Sequence, residues 1–320
     1  MKRTITCLHL IFIFLSSLLH AEEIKFIALG DMPYSIPKDI TRFERLIKAI
    51  NTEDPNFSVF VGDTKSGSTP CTTEYALKIK DYFNTFEKPL IYSIGDNEWT
   101  DCHRQKAGSF DPLERLSKVR DIYFQNNLSL GKSKIQLTRQ SDTSNGYEKF
   151  VENSYWVMNN YLFVSLHIPG SNNNFERSLQ AVSEYFERNR ANITWIENVF
   201  SLATKNHYSG IVFFYQADMF YEPRLSFDLS SGYKDTIESF SKNSQAFKKP
   251  VLLVHGDSHR LIIDQPLKTV DKQHVLENVY RLQVMGDDQV QAVEVEINTN
   301  KNSPFSFRPM FVPENDAMLY

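Results

Sequence analysis

The sequence predicts an α/β protein in which polar loops at the carboxyl ends of parallel strands form one site. Two observations support this prediction. Short apolar runs alternate with segments of helical periodicity along most of the 320-residue chain, which is the pattern of repeated βαβ units. Several of the apolar runs stop at a Gly-Asp pair, and open α/β sheets bind ligands where their strands end.

The first 21 residues have the pattern of a secretory signal peptide. Lys2 and Arg3 precede an apolar run over residues 8–19, and Ala21 lies at a plausible cleavage point. The run is too short and too interrupted to span a bilayer. We therefore expect export to the periplasm or the medium, cleavage near Ala21 and no transmembrane segment in the mature chain. An uncleaved N-terminal anchor is the alternative.

Residues 22–320 have the composition of a single globular domain. Hydrophobic residues make up 41% of the chain and charged residues 23%, and no repeat or Pro/Gly/Ser-rich linker divides the sequence. The net charge of the full chain is −4 at pH 7. Cleavage would remove the positive charges of Lys2 and Arg3, and no basic tract stands out. This charge argues against binding to a nucleic-acid backbone.

The first third of the chain predicts a βαβαβ unit. We expect strands at Ile24–Leu29 and at residues 57–61 and 89–94, with helices at residues 39–50 and 73–86. Such a unit has parallel neighbouring strands and right-handed crossovers. Because the three strands are continuously apolar, both faces of their sheet should be covered.

The rest of the chain predicts further strands and helices in a less regular order. Asp111, followed by Pro112 and Glu114, has the pattern of a helix cap. In order, we expect a helix from Asp111 to about Gln125, a loop over residues 128–146, a hairpin of residues 155–158 and 161–168 turning at Asn159-Asn160, a helix from Ser178, a strand at 211–215, a helix ending near Lys248, a strand at 251–254, and closing antiparallel strands at 260–263, 279–284 and 290–297.

The candidate chemistry lies in four Gly-Asp pairs, each of which follows an apolar strand. A single pair of this kind is usually a turn or a helix cap, but four pairs at four strand ends indicate a common site. Clustered carboxylates repel one another unless they are protonated or bind a metal, so a divalent cation is the simplest neutralising ligand. The pairs are Gly30-Asp31, Gly62-Asp63, Gly95-Asp96 and Gly256-Asp257.

These loops resemble the metal-binding loops of the calcineurin-like metallophosphoesterases. That family carries its ligands on five successive strand-end loops, with the patterns Asp-x-His, Gly-Asp, Gly-Asn-His-Asp/Glu, a lone His and Gly-His-x-His. The resemblance covers about residues 24–265 and implies two mixed β-sheets packed as a sandwich and flanked by helices. The corresponding loops are Gly30-Asp31-Met32-Pro33-Tyr34, Gly62-Asp63-Thr64-Lys65-Ser66-Gly67, Gly95-Asp96-Asn97-Glu98, Tyr215-Gln216-Ala217-Asp218 and Gly256-Asp257-Ser258-His259.

The resemblance implies a metal site whose ligands have changed. Asp63 matches the family's bridging ligand, whereas Pro33 replaces the His of the first loop. Asp96 stands where the family has Asn, and Gln216 and Asp257 stand where it has His, but all three can still coordinate. Such a site, rich in oxygen donors, suits one or two ions of manganese, magnesium, calcium or iron over zinc. The candidate ligands are Asp31, Asp63, Asp96, Gln216, Asp257 and His259.

Four further residues are candidates for contact with the substrate. Asn97 stands where the family has the His that stabilises the leaving group, and Lys65 follows the bridging aspartate closely enough to contact a phosphate. His103 or Arg104 could bind an anionic oxygen or protonate the leaving group. A solvated surface position is the alternative for Lys65, His103 and Arg104.

Two cysteines remain after cleavage, Cys71 and Cys102, in the loops that carry the second and third motifs. Two thiols tend to pair in an oxidising compartment, so we expect a disulfide, with two free thiols as the alternative.

The sequence thus predicts a metal-dependent phosphoester hydrolase that uses metal-activated water on a small-molecule or exported phosphoester. The alternative is a non-catalytic protein of the same fold that binds a metal or an anion through a degenerate site. A serine hydrolase is disfavoured because the sequence lacks a Gly-x-Ser-x-Gly motif.

Overall fold

The computed structural model describes residues 23–175, 177–221, 231–298, 301 and 303–316. The expected signal peptide over residues 1–21 and its cleavage point lie outside the described residues, so both stay predictions. None of the helices in the described part of the chain has the length and the apolar character that a bilayer crossing requires.

Strands and helices alternate in the first half of the described residues, whereas five consecutive strands follow the last α-helix. The strands are β1 (Ile24–Leu29), β2 (Phe57–Phe60), β3 (Leu90–Tyr92), β4 (Thr138–Arg139), β5 (Ser154–Met158), β6 (Tyr161–Ser165), β7 (Gly210–Phe214), β8 (Val251–His255), β9 (Ile262–Asp264), β10 (Val279–Gln283), β11 (Ala292–Ile297) and β12 (Phe305–Met310). The helices are α1 (Lys38–Glu53), α2 (Thr73–Phe83), α3 (Pro112–Tyr123), the single turns α4 (Gln140–Thr143) and α5 (Gly170–Asn173), α6 (Leu179–Lys205) and α7 (Lys234–Phe247).

Local sequence explains where several of these elements begin and turn. The Asp111 side chain accepts a hydrogen bond from the backbone N–H of Glu114 and caps α3, as predicted. Ser178 caps α6 in the same way. The β5–β6 hairpin turns at Asn159 and Asn160, whose φ angles of 44° and 65° suit the tight turn expected of two asparagines.

The first sheet has five strands in the order β12-β11-β1-β2-β3. Strands β1, β2 and β3 are parallel, in a register that places Phe26 beside Phe57 and Ser58 beside Leu90. This arrangement confirms the predicted βαβαβ unit. Strand β11 is antiparallel to β1, and β12, which was not predicted, is antiparallel to β11.

The second sheet has seven strands in the order β4-β5-β6-β7-β8-β10-β9. Strands β6, β7, β8 and β10 are parallel. Strand β10 is antiparallel to β9, as predicted for the closing strands, but it is parallel to β8, because the chain passes through the edge strand β9 and then returns beside β8. The predicted loop over residues 128–146 contains β4 and α4, which are too short to produce a periodic pattern in the sequence.

Aromatic side chains fill the space between the two sheets. The Phe57 ring centroid from the first sheet lies 5.2 Å from that of Trp156 and 5.1 Å from that of Phe163 in the second sheet. Helices α1, α2 and α3 pack on the outer face of the first sheet, and α6 and α7 pack on that of the second. The predicted fold class, two mixed sheets packed as a sandwich and flanked by helices, is confirmed.

Candidate metal centre

Loops from both sheets meet at the edge where the parallel strands end. Asp31 follows β1 of the first sheet, Asp63 follows β2, and Asp257 follows β8 of the second sheet. All three have positive φ angles, of 53°, 58° and 79°. Aspartate tolerates this left-handed conformation better than most residues, and the conformation turns the chain sharply at each strand end.

Asp31 is held by the last Gly-Asp loop. The backbone N–H of Asp257 donates to both carboxylate oxygens of Asp31 at 3.1 Å, and Asp31 is fully buried. The Oδ2 atom of Asp257 itself accepts a hydrogen bond from the backbone N–H of Asp218 at 2.9 Å. The first, fourth and fifth loops are thereby joined by direct hydrogen bonds.

Asp63 is held at both oxygens by the third loop. The Asn97 backbone N–H donates to Oδ1 at 3.1 Å, and Asn97 Nδ2 donates to Oδ2 at 2.7 Å. The Tyr34 hydroxyl also donates to Oδ2, at 3.1 Å. Asn97, expected at the leaving group, therefore orients the candidate bridging ligand.

Asp96 lies beside a glycine that also approaches Asp257. Its Oδ2 atom accepts a hydrogen bond from the Ser171 hydroxyl at 2.7 Å. Its Oδ1 atom is buried and has no hydrogen-bond partner among the described residues. A Cβ atom on Gly170 would lie 2.6 Å from this Oδ1 and 3.0 Å from Asp257 Oδ1, so both carboxylates face the same narrow gap.

Gln216 is fully buried, but its amide oxygen is already engaged. Oε1 accepts a hydrogen bond from the Gly170 backbone N–H at 2.5 Å, and Nε2 has no partner among the described residues. Gln216 therefore lies in the site, but its Oε1 atom, which would coordinate a cation, is already hydrogen-bonded to the backbone.

His259 lies at the rim of the site, with about a third of its side chain exposed. Its Nε2 atom is 3.4 Å from the Tyr34 hydroxyl and 3.8 Å from Asp31 Oδ1, and its Nδ1 atom is 3.9 Å from Asp287 Oδ2. Partial burial lowers the pKa of His259, while Asp287 opposes this effect. A neutral imidazole is the form that binds metals.

The buried carboxylates of the site perturb one another. Burial raises the pKa of Asp31 well above its usual range, and the charge of Asp257 raises it further. Burial likewise raises the pKa of Asp63, with Asp96 as the next cause. Acids in such a position require either protons or a cation.

Glu98 has a structural role that the sequence did not predict. Its Oε1 atom accepts hydrogen bonds from the Thr64 backbone N–H and from the Thr64 hydroxyl at 2.8 Å. Its Oε2 atom accepts from the backbone N–H groups of Gly95 at 2.9 Å and Asp63 at 3.3 Å. Glu98 thus joins the second loop to the third. Its position in the third motif was the feature of the sequence that could have indicated this role.

Residues 171–174 form a left-handed turn beside Asp96. Their φ angles are 48°, 50°, 57° and 61°, and each non-glycine residue in this conformation costs roughly 1–2 kcal/mol. Arg188, which is fully buried, holds the turn by donating to the side-chain and backbone oxygens of Asn173 at 2.5 and 3.0 Å. The turn presents Ser171 to Asp96, and the asparagine run at residues 172–174 was its signal in the sequence.

The three basic candidates occupy different places. Lys65 is buried, and its Nζ atom donates to the Ser66 carbonyl at 3.2 Å, so the solvated alternative was wrong for it. His103 is exposed, and its Nδ1 atom donates to the Thr100 carbonyl at 2.7 Å. This described hydrogen bond of His103 does not involve an acid of the site. Arg104 is half exposed and forms an ion pair with Asp101 at 2.6 Å.

The predicted disulfide between Cys71 and Cys102 is present, with a Cα–Cα distance of 5.8 Å. It joins the segment after the second loop to the turn that follows the third loop. The cysteine sulfur atoms lie 3.6 and 3.7 Å from the Asn97 carbonyl oxygen, so the bridge directly adjoins the site.

The chemistry of the donor set fits a hard divalent cation. Asp31, Asp63, Asp96 and Asp257 supply oxygen donors, and Asp96 Oδ1 is a buried acceptor without a described partner. Within the described ranges, no three His, Cys, Asp or Glu side chains already form a metal-ligand group. Coordination therefore requires some of the present hydrogen bonds to be exchanged for metal bonds.

Comparison with known proteins supports the fold. No protein-family model and no curated protein sequence matches the chain. The crystal structure of a dimetal phosphatase from Danio rerio matches with a TM-score of 0.54 and 10% identity, covering 90% of this chain and 99% of that one. The structure of PhoD matches with the same score and identity, covering 90% and 68%. The chain therefore has the calcineurin-like metallophosphoesterase fold.

Proposed function

We propose that the chain is a metal-dependent phosphoester hydrolase and that the strand-end loops form its active site. One observation carries the proposal: Asp31, Asp63, Asp96 and Asp257 approach one another at the edge where the two sheets meet, and the first three are buried. Buried carboxylates without compensating charge are costly, and the fold is shared with a dimetal phosphatase.

The proposed cofactor is one or two divalent cations, with manganese, magnesium, calcium or iron favoured over zinc. Asp31, Asp63, Asp96, Asp257 and His259 would hold them, with Gln216 joining once its oxygen leaves the Gly170 N–H. When bound, such ions lower the pKa of a water molecule to make a nucleophile and neutralise charge on the phosphoryl oxygens.

The surrounding side chains position the ligands and the substrate. Asn97 and Tyr34 fix the orientation of Asp63 through the three hydrogen bonds described above. Burial, then the charge of Asp63, raises the pKa of Tyr34 well above its usual range, so its hydroxyl keeps its proton and donates a hydrogen bond. Lys65 and Arg104 provide positive charge beside the acids.

Protonation of the leaving group falls to water in this proposal. His103 is exposed and makes its described hydrogen bond to a backbone carbonyl, and Tyr34 is too weak an acid to release its proton. A cavity of about 410 Å³ lined by Asp218, Tyr221, Asp257, Ser258 and Arg260 gives solvent access to Asp257, one of the four carboxylates.

We further propose that the protein is an atypical exported member of this fold class, acting on a small-molecule or exported phosphoester. The N-terminal pattern in residues 1–21 supports export. Intact-mass analysis of protein recovered from the exported fraction should give a chain that begins near Glu22. Retention of Met1 in that fraction would indicate an N-terminal anchor.

The second candidate is a non-catalytic protein with a degenerate site. Two observations favour it: Pro33 replaces a ligand of the resembled family, and the oxygens of Asp31 and Asp63 and the amide oxygen of Gln216 already accept hydrogen bonds. This candidate predicts metal or anion binding without turnover.

Two measurements decide between the candidates. Hydrolysis of an aryl phosphate monoester and diester is measured with magnesium, manganese, calcium or zinc added, and the same cations are titrated calorimetrically. The hydrolase requires both metal binding and metal-dependent turnover. Binding without turnover supports the degenerate site, and absence of binding at millimolar cation removes the metalloenzyme proposal.

A further inference from the structure

We propose that Arg104 makes the site selective for phosphomonoesters by binding the terminal oxygens of a dianionic phosphate group. This inference rests on the proposed hydrolase function and deepens it by naming the substrate class. Three features of the described residues support it. The guanidinium is anchored by an ion pair, Gly67 lies next to it, and a disulfide joins the segment of Gly67 to the segment of Arg104.

Arg104 is anchored to the same group of side chains that holds Asp96. Its Nη1 atom lies 2.6 Å from Asp101 Oδ2, and Asp101 is buried whereas Arg104 is 48% exposed. The Ser171 hydroxyl lies 2.9 Å from Asp101 Oδ1 and 2.7 Å from Asp96 Oδ2. The guanidinium is therefore fixed at one end, at the border between the acid cluster and solvent.

Gly67 allows the guanidinium to approach Asn97. A Cβ atom on Gly67 would lie 2.5 Å from Arg104 Nη1 and 2.8 Å from Asn97 Oδ1, so any side chain there would displace one of them. The Nδ2 atom of the same Asn97 donates to Asp63 Oδ2 at 2.7 Å. The positive charge of Arg104 is thus separated by a single side chain from Asp63, the candidate bridging ligand.

The disulfide holds these two segments together. Cys71 follows Gly67 by four residues and Cys102 precedes Arg104 by two, and the bridge joins them. The Cys71 backbone N–H also donates to the Ala107 carbonyl at 3.0 Å. A cation fixed in this way loses little conformational entropy when it binds a ligand.

Charge and geometry favour a monoester over a diester. A guanidinium has five N–H donors, and Asp101 is the one ion-pair partner of Arg104 among the described residues. The remaining donors can bind two oxygens of a phosphate side by side. A monoester offers three terminal oxygens and a charge of about −1.5 to −2, whereas a diester has one oxygen fewer and a single charge.

The test compares Arg104→Gln and Arg104→Lys with the wild type, using manganese-loaded protein. Lys106→Gln is the matched control because it removes one positive charge from an exposed side chain two residues away. The substrates are para-nitrophenyl phosphate and bis(para-nitrophenyl) phosphate. Calorimetric titration of inorganic phosphate measures anion binding without turnover, and thermal unfolding checks that each variant is folded.

We expect Arg104→Gln to lower kcat/KM for the monoester by roughly 10- to 100-fold, mainly through KM, since a hydrogen-bonded charge is lost. The diester should lose less than about threefold, Arg104→Lys should be intermediate, and Lys106→Gln should resemble wild type. Inorganic phosphate should bind more weakly to Arg104→Gln by a similar factor.

Equal losses on both esters, or equal phosphate affinity in wild type and Arg104→Gln, overturn the assignment of Arg104. Failure of the wild type to hydrolyse either ester removes the proposed hydrolase function instead. In that case the phosphate titration still decides whether Arg104 binds the anion, so the two failures are distinguishable.

Discussion

Asn97 contacts both carboxylate oxygens of Asp63, through its backbone N–H at 3.1 Å and through Nδ2 at 2.7 Å. These two contacts fix the rotation of the carboxylate as well as its position. In the resembled family the same position carries a histidine expected to act on the leaving group. Here it orients a candidate ligand, as polar partners of metal ligands commonly do.

Asn97→Ala should therefore weaken metal binding and turnover together, by about 10- to 100-fold, the usual effect of removing such a partner. The backbone N–H remains, so Asp63 should keep its position and lose its fixed rotation. Manganese titration and the phosphatase assay measure the two quantities. His103→Gln is the control and should stay within about twofold of wild type, because His103 is exposed. A large loss in His103→Gln would restore His103 as a proton donor.

Asp63→Asn should abolish metal binding and any phosphatase activity while leaving the fold intact. Burial, followed by the charge of Asp96, raises the pKa of Asp63, so a neutral amide at this position relieves repulsion in the metal-free protein. The Asn97 amide can turn over and the Tyr34 hydroxyl can accept, and both can then pair with the new amide group. Calorimetry should show no manganese or magnesium binding, and the thermal midpoint of the metal-free protein should not fall. Retained binding would show that Asp63 is not a ligand.

Glu98→Gln should behave in the opposite way and destabilise the protein. Both Glu98 oxygens accept from backbone N–H groups of the second and third loops, and backbone donors cannot turn over. The glutamine NH₂ group must therefore face a donor in either orientation, at a cost of about 1–3 kcal/mol. Denaturant unfolding of the metal-free variant measures this loss, with Asp63→Asn as the matched control. An equal free energy of unfolding in Glu98→Gln and wild type would contradict the structural role.

The sequence predicted the parts of the site that depend on local pattern. Asp31 and Asp63 could be found because each follows a continuous apolar strand, and parallel strands end at the same edge. Their partners depend on contacts between distant segments. The Ser171 hydroxyl reaches Asp96 across 75 residues, and the Gly170 N–H reaches Gln216 across 46. Contacts between residues so far apart in the sequence cannot be read from local periodicity.

The direction of one strand and the conformation of one loop could not be predicted either, because both depend on contacts between distant segments. Strand β10 has the same apolar pattern whether it runs parallel or antiparallel to β8, because its direction depends on the position of the edge strand β9. The left-handed turn at residues 171–174 depends on Arg188, which lies in α6 and donates to Asn173. The asparagine run shows that such a turn is tolerated, but only the tertiary contact fixes it.

Replacing both cysteines by serine, Cys71→Ser with Cys102→Ser, should lower the free energy of unfolding by about 3–4 kcal/mol. The bridge spans 31 residues, and loss of a loop of that length costs this much in the chain-entropy model. The KM for a phosphomonoester should rise as well, because the bridge joins the segment of Gly67 to the segment of Arg104 and so helps to hold the Arg104 side chain in place. Denaturant unfolding with and without a reductant checks the first effect. An unchanged midpoint would show that the bridge stabilises nothing beyond the contacts around it.

The metal-free protein should become more stable as the pH falls from about 8 to about 6.5. Burial, followed by the charge of Asp96, raises the pKa of Asp101 to about 7. A carboxyl with a higher pKa in the folded state binds more protons there than in the unfolded chain. Its contribution to stability is therefore lost as the pH rises through the folded pKa and is complete only below the unfolded value. Asp31 and Asp63 act in the same direction.

Two buried histidines set the lower limit of this range. Burial lowers the pKa of His167 and of His255 to about 4, so below about pH 6.5 their imidazoles bind protons in the unfolded chain first. Proton binding by these histidines in the unfolded chain lowers the stability at acidic pH and so opposes the stabilising effect of the carboxyl groups. The test is therefore confined to pH values above about 6.5.

Thermal midpoints measured in a chelator between about pH 8 and pH 6.5 should rise on acidification in wild type. The slope should be shallower in Asp101→Asn, because one of the titrating carboxyls is gone. Excess manganese should flatten the slope in wild type, since a bound cation supplies the charge that protons otherwise provide. A midpoint that rises with pH in the chelator would mean that the acids are already compensated without metal, and the argument for a cation from their burial would fail.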